Sequence, residues 1–276
     1  MWLRECRAVQ RHSVGAGVFE VLEVKGLTKR YNSKAVVDDV SFRIEPGEVY
    51  GYLGPNGSGK TTTVKMLTGL LEPSAGSIFF NGRDIRSDLI GYRRRLGYVP
   101  EEPHLYPYLS GKEYVELVGR LRSIPEPLLA TKSESLLNLI GLGAYRYSPI
   151  SSYSKGMKQK ILICAALLHD PQVLIFDEPL SGLDVTSVLV FKDVVKSLAA
   201  EGKIILYTSH VLEMIEKQCS RVMILHRGRL VANDRVERLR DLMKLPSLEE
   251  IFRGLVVDED TERVAKDIVQ VMKLDT

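Results

Sequence analysis

Cysteine is scarce in this sequence, which has three cysteines among 276 residues and a single tryptophan. Cys6, Cys164 and Cys219 are odd in number and share no metal-ligand spacing. A disulfide framework or a zinc site needs paired or regularly spaced thiols, so the sequence favours neither. We therefore expect a protein of a reducing, cytoplasmic compartment.

An excess of charge of one sign is also lacking. The 38 lysines and arginines stand against 35 aspartates and glutamates, which gives a formal net charge of +3. Proteins that bind nucleic acid usually carry a clustered basic excess, because phosphate neutralisation supplies much of their affinity. We expect no nucleic-acid partner.

The sequence has no long apolar run either. Apolar stretches such as ILICAALL stop well short of the roughly 20 residues that a membrane-spanning helix requires. Residues 1–18 contain no continuous apolar segment of the kind found in a secretory signal. We expect a chain that does not cross a bilayer by itself and begins with an N-terminal extension, residues 1–18.

Strand and helix patterns follow one another along the remaining sequence. FEVLEVKGL and AVVDDVSFRIEPGEVYGYL predict strands that lead to a glycine-rich loop, and TTTVKMLTGLL after the loop has helical spacing. SAGSIFFNGRDI predicts short strands around an Asn-Gly turn. From about residue 100 to 170 the pattern is helical, with a capping box at SGKE and a leucine stripe that ends at Gly141.

Strands return in VLIF, KIILYTS and RVMILHRGRLVAND, and the helical pattern TSVLVFKDVVKSLAA separates the first two. Such alternation predicts a parallel sheet covered on both faces, and Gly228 marks the turn of a final hairpin. SLEEIFRGL then predicts a second capping box. In the last predicted helix, Val264, Ile268 and Val271 form an apolar stripe that we expect to pack.

The stretch GPNGSGKTT, residues 54–62, fits the pattern G-x-x-x-x-G-K-[ST] between an apolar strand and a helix. Its glycines let the backbone curl until successive amides and the helix N-terminus converge on phosphate oxygens. Lys60 would reach the β and γ phosphates, and the Thr61 hydroxyl would hold Mg²⁺. The predicted nucleotide-binding segment is Gly54, Pro55, Asn56, Gly57, Ser58, Gly59, Lys60, Thr61 and Thr62.

A second site motif is VLIFDEP, a buried apolar strand that ends in two carboxylates. Ligands bind at the carboxyl edge of an open parallel sheet, where these side chains would lie. We predict that Asp177 helps to hold Mg²⁺ and that Glu178 orients or deprotonates an attacking water. Such a base is worth about 10²- to 10⁴-fold in rate.

These elements predict an α/β fold: a P-loop NTPase core with a mainly parallel sheet, an N-terminal antiparallel β subdomain and an inserted α-helical subdomain. We assign residues 19–98 and 171–235 to the nucleotide-binding core, residues 99–170 to the helical subdomain, and residues 236–276 to a C-terminal helical tail.

Together the motifs resemble the nucleotide-binding subunit of an ATP-binding-cassette (ABC) transporter over roughly residues 18–233. In that family YSKGMKQK, residues 153–160, stands at the signature motif, usually LSGGQ. Ser154 and Gly156 match, whereas Tyr153, Lys155 and Met157 depart. The resemblance implies that this segment faces the γ-phosphate of a second subunit in a head-to-tail dimer, with Ser154 and the amides near Gly156 as its contacts. Lys155 either adds a cation near the phosphate or points to solvent. Taken alone, Ser154 is more often a simple helix cap.

The resemblance assigns further residues. SGLD, residues 181–184, is similar to the D-loop at the dimer seam, and His210 to the switch histidine near the γ-phosphate. Tyr31 stands where an aromatic ring stacks on adenine. Glu101 replaces the usual glutamine that contacts Mg²⁺, and we expect its carboxylate to bind the metal still. Taken alone, a histidine after a strand or a tyrosine before a turn is more often structural.

The resulting expectation is an ATPase that uses ATP and Mg²⁺ at the cytoplasmic face of a membrane, with Lys60, Glu178 and His210 as its catalytic residues. Its partners would be separate membrane permease subunits and a second copy of itself or a homologous subunit. Glu101, YSKGMKQK and the tail SLEEIFRGL look most like the exporter-type branch. The alternatives are a soluble ABC-type ATPase in DNA or translation processes and a nonhydrolytic scaffold, against which Glu178 argues.

Overall fold

The computed structural model describes residues 21–256 and 261–272, so the predicted extension at residues 1–18 lies outside the described residues. The strands are β1 (Leu22–Tyr31), β2 (Lys34–Ile44), β3 (Val49–Leu53), β4 (Ala75–Phe80), β5 (Arg83–Asp84), β6 (Leu96–Val99), β7 (Val173–Asp177), β8 (Ile204–Thr208), β9 (Arg221–His226) and β10 (Arg229–Arg235). The helices are α1 (Lys60–Leu67), α2 (Leu89–Arg94), α3 (Gly111–Leu121), α4 (Glu126–Leu139), α5 (Lys155–Leu167), α6 (Val185–Ala200), α7 (Leu212–Gln218), α8 (Val236–Met243), α9 (Leu248–Val256) and α10 (Thr261–Met272).

The central sheet has six strands in the order β10-β9-β3-β8-β7-β6. All neighbours are parallel except β10, which pairs with β9 as the predicted hairpin. Every residue of β3, β7 and β8 is buried, because helices cover both faces of a parallel sheet. The mainly parallel core is therefore confirmed.

An antiparallel sheet of four strands, in the order β2-β1-β4-β5, forms the predicted N-terminal β subdomain. The β1–β2 hairpin turns at Asn32, whose φ of 54° is a left-handed conformation that asparagine tolerates. β4 and β5 join at the predicted turn, where Asn81 and Gly82 both have positive φ. One apolar cluster packs this sheet against α1 and the central sheet.

The predicted helical region contains α3, α4 and α5 around an apolar cluster of its own. The Ser110 hydroxyl accepts from the Glu113 amide at 3.2 Å, and the Glu113 carboxylate accepts from the Ser110 amide at 2.7 Å. The capping box is thus complete, and Leu129 and Leu137 of the predicted stripe are fully buried. The proposed division at residue 98/99 stays a prediction; it falls within β6, which pairs with β7 in the central sheet.

The C-terminal helices differ in how they pack. Leu248 and Ile251 of α9 are fully buried against the core, and the Glu250 amide donates to the Ser247 hydroxyl at 3.3 Å. In α10 the expected packing is wrong within the described residues: Val264, Ile268 and Val271 are 46%, 56% and 64% exposed. The periodicity predicted an amphipathic helix correctly, but it carries no information about what covers the apolar face. No helix in the described ranges has both the length and the apolar character needed to span a membrane.

Candidate nucleotide site

A polar pocket lies where several parallel strands end. Segments that follow β3, β6, β7 and β8 all reach it, as expected for a ligand site at the carboxyl edge of such a sheet. Its lining residues are Val36, Asn56, Gly57, Gly59, Lys60, Thr61, Thr62, Glu101, Asp177, Glu178 and His210. The pocket thus brings together most of the residues that the sequence predicted to bind phosphate, to bind Mg²⁺ or to orient water.

The phosphate loop is tight because other backbone lies directly against it. A Cβ built at Gly54 would lie 2.4 Å from the Leu225 carbonyl oxygen. At Gly59 the φ is 108°, and a Cβ there would lie 2.6 Å from the Val36 carbonyl oxygen of β2. Only glycine fits either position without displacing backbone, so the antiparallel sheet helps to shape the loop.

Ser58 lies behind the loop and does not line the pocket. It is 3% exposed, and its amide donates to the Pro55 carbonyl at 3.1 Å. Its carbonyl accepts from the Gly228 amide at 3.0 Å, which ties the loop to the β9–β10 turn. The structure therefore places Ser58 as a support of the loop.

Lys60 is the first residue of α1, and its ammonium lies within the curl of the loop. It donates to the carbonyls of Gly54 at 2.6 Å and Pro55 at 3.2 Å. Burial lowers the pKa of Lys60, while the carboxylates of Glu178, Asp177 and Glu101 act in the opposite direction. The cation is held where a phosphate chain cradled by the loop would meet it.

Asp177, the last residue of β7, is 3% exposed. The Thr208 hydroxyl donates to its Oδ1 at 2.5 Å, whereas its buried Oδ2 has no hydrogen-bond partner in the described part of the chain. Burial raises the pKa of Asp177, and the nearby Glu101 and Glu178 raise it further. A buried carboxylate oxygen without a partner is costly unless a cation uses it.

These residues fit Mg²⁺ that arrives together with phosphate. In the described ranges no group of three or more His, Cys, Asp and Glu side chains could hold a metal ion. Mg²⁺ is usually bound by one or two carboxylates together with water and substrate phosphates. Asp177 offers a free oxygen, and the pocket adds the Thr61 hydroxyl and the Glu101 carboxylate.

Glu178 follows β7 with a φ of 48°, a strained conformation for a residue other than glycine. Its Oε1 lies 2.9 Å from His210 Nδ1, and its Oε2 accepts from the Ser209 hydroxyl at 3.3 Å. The Glu178 amide donates to the Thr208 carbonyl at 3.3 Å. The loop thus turns the carboxylate into the pocket, with His210 beside it.

Ser154, Lys155 and Gly156 do not line the pocket. Ser154 caps α5, since its hydroxyl accepts from the Met157 amide at 3.2 Å. A Cβ built at Gly156 would lie 2.3 Å from the Gly182 carbonyl oxygen, so this glycine permits close contact with the SGLD loop. Within one chain, the helix start and the pocket remain separate.

Tyr31 ends β1 and is 49% exposed, and its ring is not part of the pocket lining. The Lys29 ammonium lies 5.5 Å from the ring centroid. The ring is accessible for stacking, and its contact with adenine stays a prediction.

Two supporting side chains were missed from the sequence. Thr208 holds Asp177, and Ser209 holds Glu178, from the end of the neighbouring strand. Thr208 pairs directly with Asp177 in the β7–β8 register. The hydroxyls that precede His210 in YTSH were the available signal, because they end a strand predicted to lie beside VLIF.

The fold and pocket define a P-loop nucleotide-binding protein. Comparison with known proteins narrows this class, since the model of the ABC transporter family matches residues 37–181. The ABC transporter ATP-binding protein NatA of Bacillus subtilis is 37% identical over 222 residues, which are 80% of this chain and 90% of that protein. The Nod factor export ATP-binding protein I of Ralstonia nicotianae is 35% identical over 225 residues, or 82% of this chain and 70% of that protein.

A solved structure of the ATP-binding subunit of an ABC transporter has the same fold. It matches with a TM-score of 0.81 and 35% identity, covering 85% of this chain and 99% of that one. The chain belongs to the ABC transporter family and is one of its ATP-binding proteins. Members of this family are generally ATPases.

Proposed function

We propose that this chain hydrolyses ATP and that hydrolysis powers an ABC transporter. The observation that carries the proposal is the convergence of Lys60, Asp177 and Glu178, with His210, in one pocket. A phosphate binder alone would not need Glu178 in a strained turn with a histidine 2.9 Å from its carboxylate. This arrangement favours a reaction with water over nucleotide sensing.

Each of these residues would have a distinct role in hydrolysis. The amides of residues 54–62 and Lys60 bind and orient the phosphates, and electrostatic stabilisation of this kind is the main source of catalysis in phosphoryl transfer. Thr61, Asp177 and Glu101 would hold Mg²⁺, and the ion would neutralise charge on the phosphate oxygens. Glu178 orients the attacking water and accepts its proton. His210 keeps the carboxylate of Glu178 in place and contacts the γ-phosphate.

The working unit would be a head-to-tail dimer, either of this chain or with a homologous subunit. Ser154 and the amides near Gly156 begin α5 in an exposed position, and a helix N-terminus attracts anions. They lie outside the phosphate pocket of their own chain. We therefore infer that they would contact the phosphates of the ATP bound in the partner's pocket.

The dimer would act on separate membrane permease subunits, at the cytoplasmic face of the membrane. The family match and the relatives named for transport or export support this assignment over DNA or translation processes. Glu101 at the glutamine position and the SLEEIFRGL tail favour the exporter-type branch. A multi-span protein that co-purifies stoichiometrically from membranes would support transport, whereas ribosomal or DNA partners would overturn it.

Glu178→Gln tests hydrolysis directly. The amide keeps the shape of the side chain but cannot accept the proton, so we expect ATP turnover to fall by about 10²- to 10⁴-fold. ATP binding should persist, and light scattering at saturating ATP should show an ATP-bound dimer. The matched control is Glu201→Gln, which changes an exposed glutamate after α6 and should behave as wild type. Wild-type turnover in the Glu178→Gln protein would contradict the proposal.

A further inference from the structure

The start of α5 packs closely against the loop at residues 179–184, which links Glu178 to α6. The buried Gln159 side chain donates to the Pro179 carbonyl at 3.0 Å. The Lys160 ammonium lies 3.2 Å from the Asp184 carboxylate, which also caps α6. Together with the close approach of Gly156 to the Gly182 carbonyl, these contacts join the signature segment to the loop within one chain.

Lys155 adds a contact that a glycine could not make. A Cβ built at Gly182 would lie 2.9 Å from Lys155 Cγ, 3.1 Å from Cδ and 3.3 Å from Cβ. The aliphatic stem of Lys155 therefore lies against Gly182, and both residues remain exposed on their other sides. Gly182 has a φ of 78°, so its missing side chain and its left-handed turn both allow the lysine to lie there.

The ammonium of Lys155 has no comparable contact. It forms no ion pair with the residues described, whereas the neighbouring Lys160 does. Long charged side chains commonly bury their methylene groups on a neighbour and leave the head in water. The packed part of Lys155 is thus its stem.

The loop under Lys155 is directly connected to Glu178. The Ser181 amide donates to the Glu178 carbonyl at 3.2 Å, and the Leu183 amide donates to the Leu180 carbonyl at 3.1 Å. Glu178 is also in a left-handed conformation, which persists only while the surrounding structure holds it. A shift of Gly182 would therefore be passed to the backbone of Glu178.

We propose that Lys155 is a positioning residue for hydrolysis: its stem holds the loop at residues 179–184 against α5 and so fixes Glu178, and this role does not depend on the charge of its ammonium. The inference rests on the proposed ATPase function. Lys155, which stands where the signature motif usually has glycine, would then act within its own subunit.

Two variants, Lys155→Ala and Lys155→Met, distinguish the contribution of the stem from that of the charge. Alanine and methionine both favour a helix, so α5 should form in either variant. Alanine removes Cγ and Cδ, so we expect kcat to fall about three- to tenfold with KM unchanged, because a displaced Glu178 weakens the chemical step and not binding. Methionine keeps the unbranched stem without the charge, so we expect kcat to fall less than it does in the alanine variant.

Hydrogen exchange in the nucleotide-free chain provides a readout that does not depend on activity. The peptide that contains residues 179–184 should exchange faster in Lys155→Ala than in wild type and Lys155→Met, because the loop has lost its packing contact with the stem. Equal exchange in all three proteins would overturn the proposal. A rise in KM shared by the alanine and methionine variants would also overturn it, because the ammonium would then bind phosphate.

The two hypotheses fail in different ways. If wild type does not hydrolyse ATP under any condition, the proposed function fails, while the exchange experiment still reports whether the stem holds the loop. If wild type is active and Lys155→Ala matches it in kcat and exchange, only the role of Lys155 fails.

Discussion

The phosphate pocket and the signature segment, residues 153–160, are built in different ways. The pocket is built within one chain, from the ends of several strands, and it holds a buried carboxylate oxygen and a half-buried lysine. The signature segment is the start of a single helix, and the contacts of Lys155, Gly156 and Gln159 go to a loop of the same chain. Under the proposed function, one chain would bind ATP by itself, whereas hydrolysis would need a second chain.

The charges in the pocket reinforce this distinction. Glu101, Asp177 and Glu178 line it with Lys60, so the carboxylates outweigh the single lysine. A triphosphate alone would add to that negative charge, whereas a triphosphate with Mg²⁺ would offset it. The signature segment has no carboxylate in its sequence, and for the proposed contact with phosphate it would offer helix-terminal amides and the Ser154 hydroxyl.

The largest expected effect comes from the pocket. Lys60→Ala removes the ammonium that the loop carbonyls hold, and we expect the isolated chain to lose measurable ATP binding in isothermal titration calorimetry. Lys65→Ala, which changes an exposed lysine in the last turn of the same helix, is the matched control and should bind as wild type. Undiminished binding in Lys60→Ala would show that the pocket is not the primary nucleotide site.

Asp177→Asn should lower ATPase activity and raise the stability of the nucleotide-free protein. The raised pKa means that the fold resists ionisation of this carboxyl, so the ionised group destabilises the native state above its ordinary pKa of about 3.9. Without nucleotide or Mg²⁺, we expect the variant to melt a few degrees higher than wild type at neutral pH. The gain should shrink as the pH falls and wild-type Asp177 becomes protonated.

Thermal melts between neutral pH and about pH 4 measure this difference. Asp193→Asn, which changes an exposed carboxylate on α6, should give no gain. With Mg²⁺ and ATP the order should reverse, because the uncharged amide oxygen of asparagine binds the cation more weakly than the wild-type carboxylate does. If Asp177→Asn were less stable than wild type at every pH without nucleotide, the idea that Asp177 Oδ2 is a ligand position for a cation would be contradicted.

Glu101 should give the smallest of these effects. Glu101→Gln keeps an oxygen ligand and removes a negative charge, so we expect the Mg²⁺ dependence of ATP turnover to shift only a few-fold. Glu101→Ala removes the ligand and should raise the Mg²⁺ concentration needed for half-maximal turnover further. An alanine variant with unchanged turnover and Mg²⁺ dependence would exclude Glu101 from the metal site.

The sequence predicted the pocket better than its surroundings for physical reasons. Lys60 and Asp177 belong to local patterns in which a strand delivers a few residues to one sheet edge, and such patterns can be read without knowing the tertiary structure. Thr208 was missed because its partner, Asp177, lies 31 residues away and only the β7–β8 register brings them together. The contact between the Lys155 stem and Gly182 was missed for the same reason.

The C-terminal helix α10 shows what a local pattern cannot predict. The spacing of Val264, Ile268 and Val271 fixes one face of α10, but burial depends on a partner surface that the spacing does not encode. Where packing is local, as at the Ser110 and Glu113 capping box, the prediction was confirmed in both of its hydrogen bonds.

The central claim is that the signature segment acts on the ATP of the neighbouring chain, and mixing two inactive variants tests it. Glu178→Gln impairs a chain's own pocket, and Ser154→Arg should impair only the site that the chain completes for its partner. In a head-to-tail mixed dimer one site carries both defects and the other carries neither. We expect the mixture to recover up to about a quarter of wild-type ATP turnover if the sites act independently. A mixture that forms dimers yet stays as inactive as either variant alone would contradict the claim.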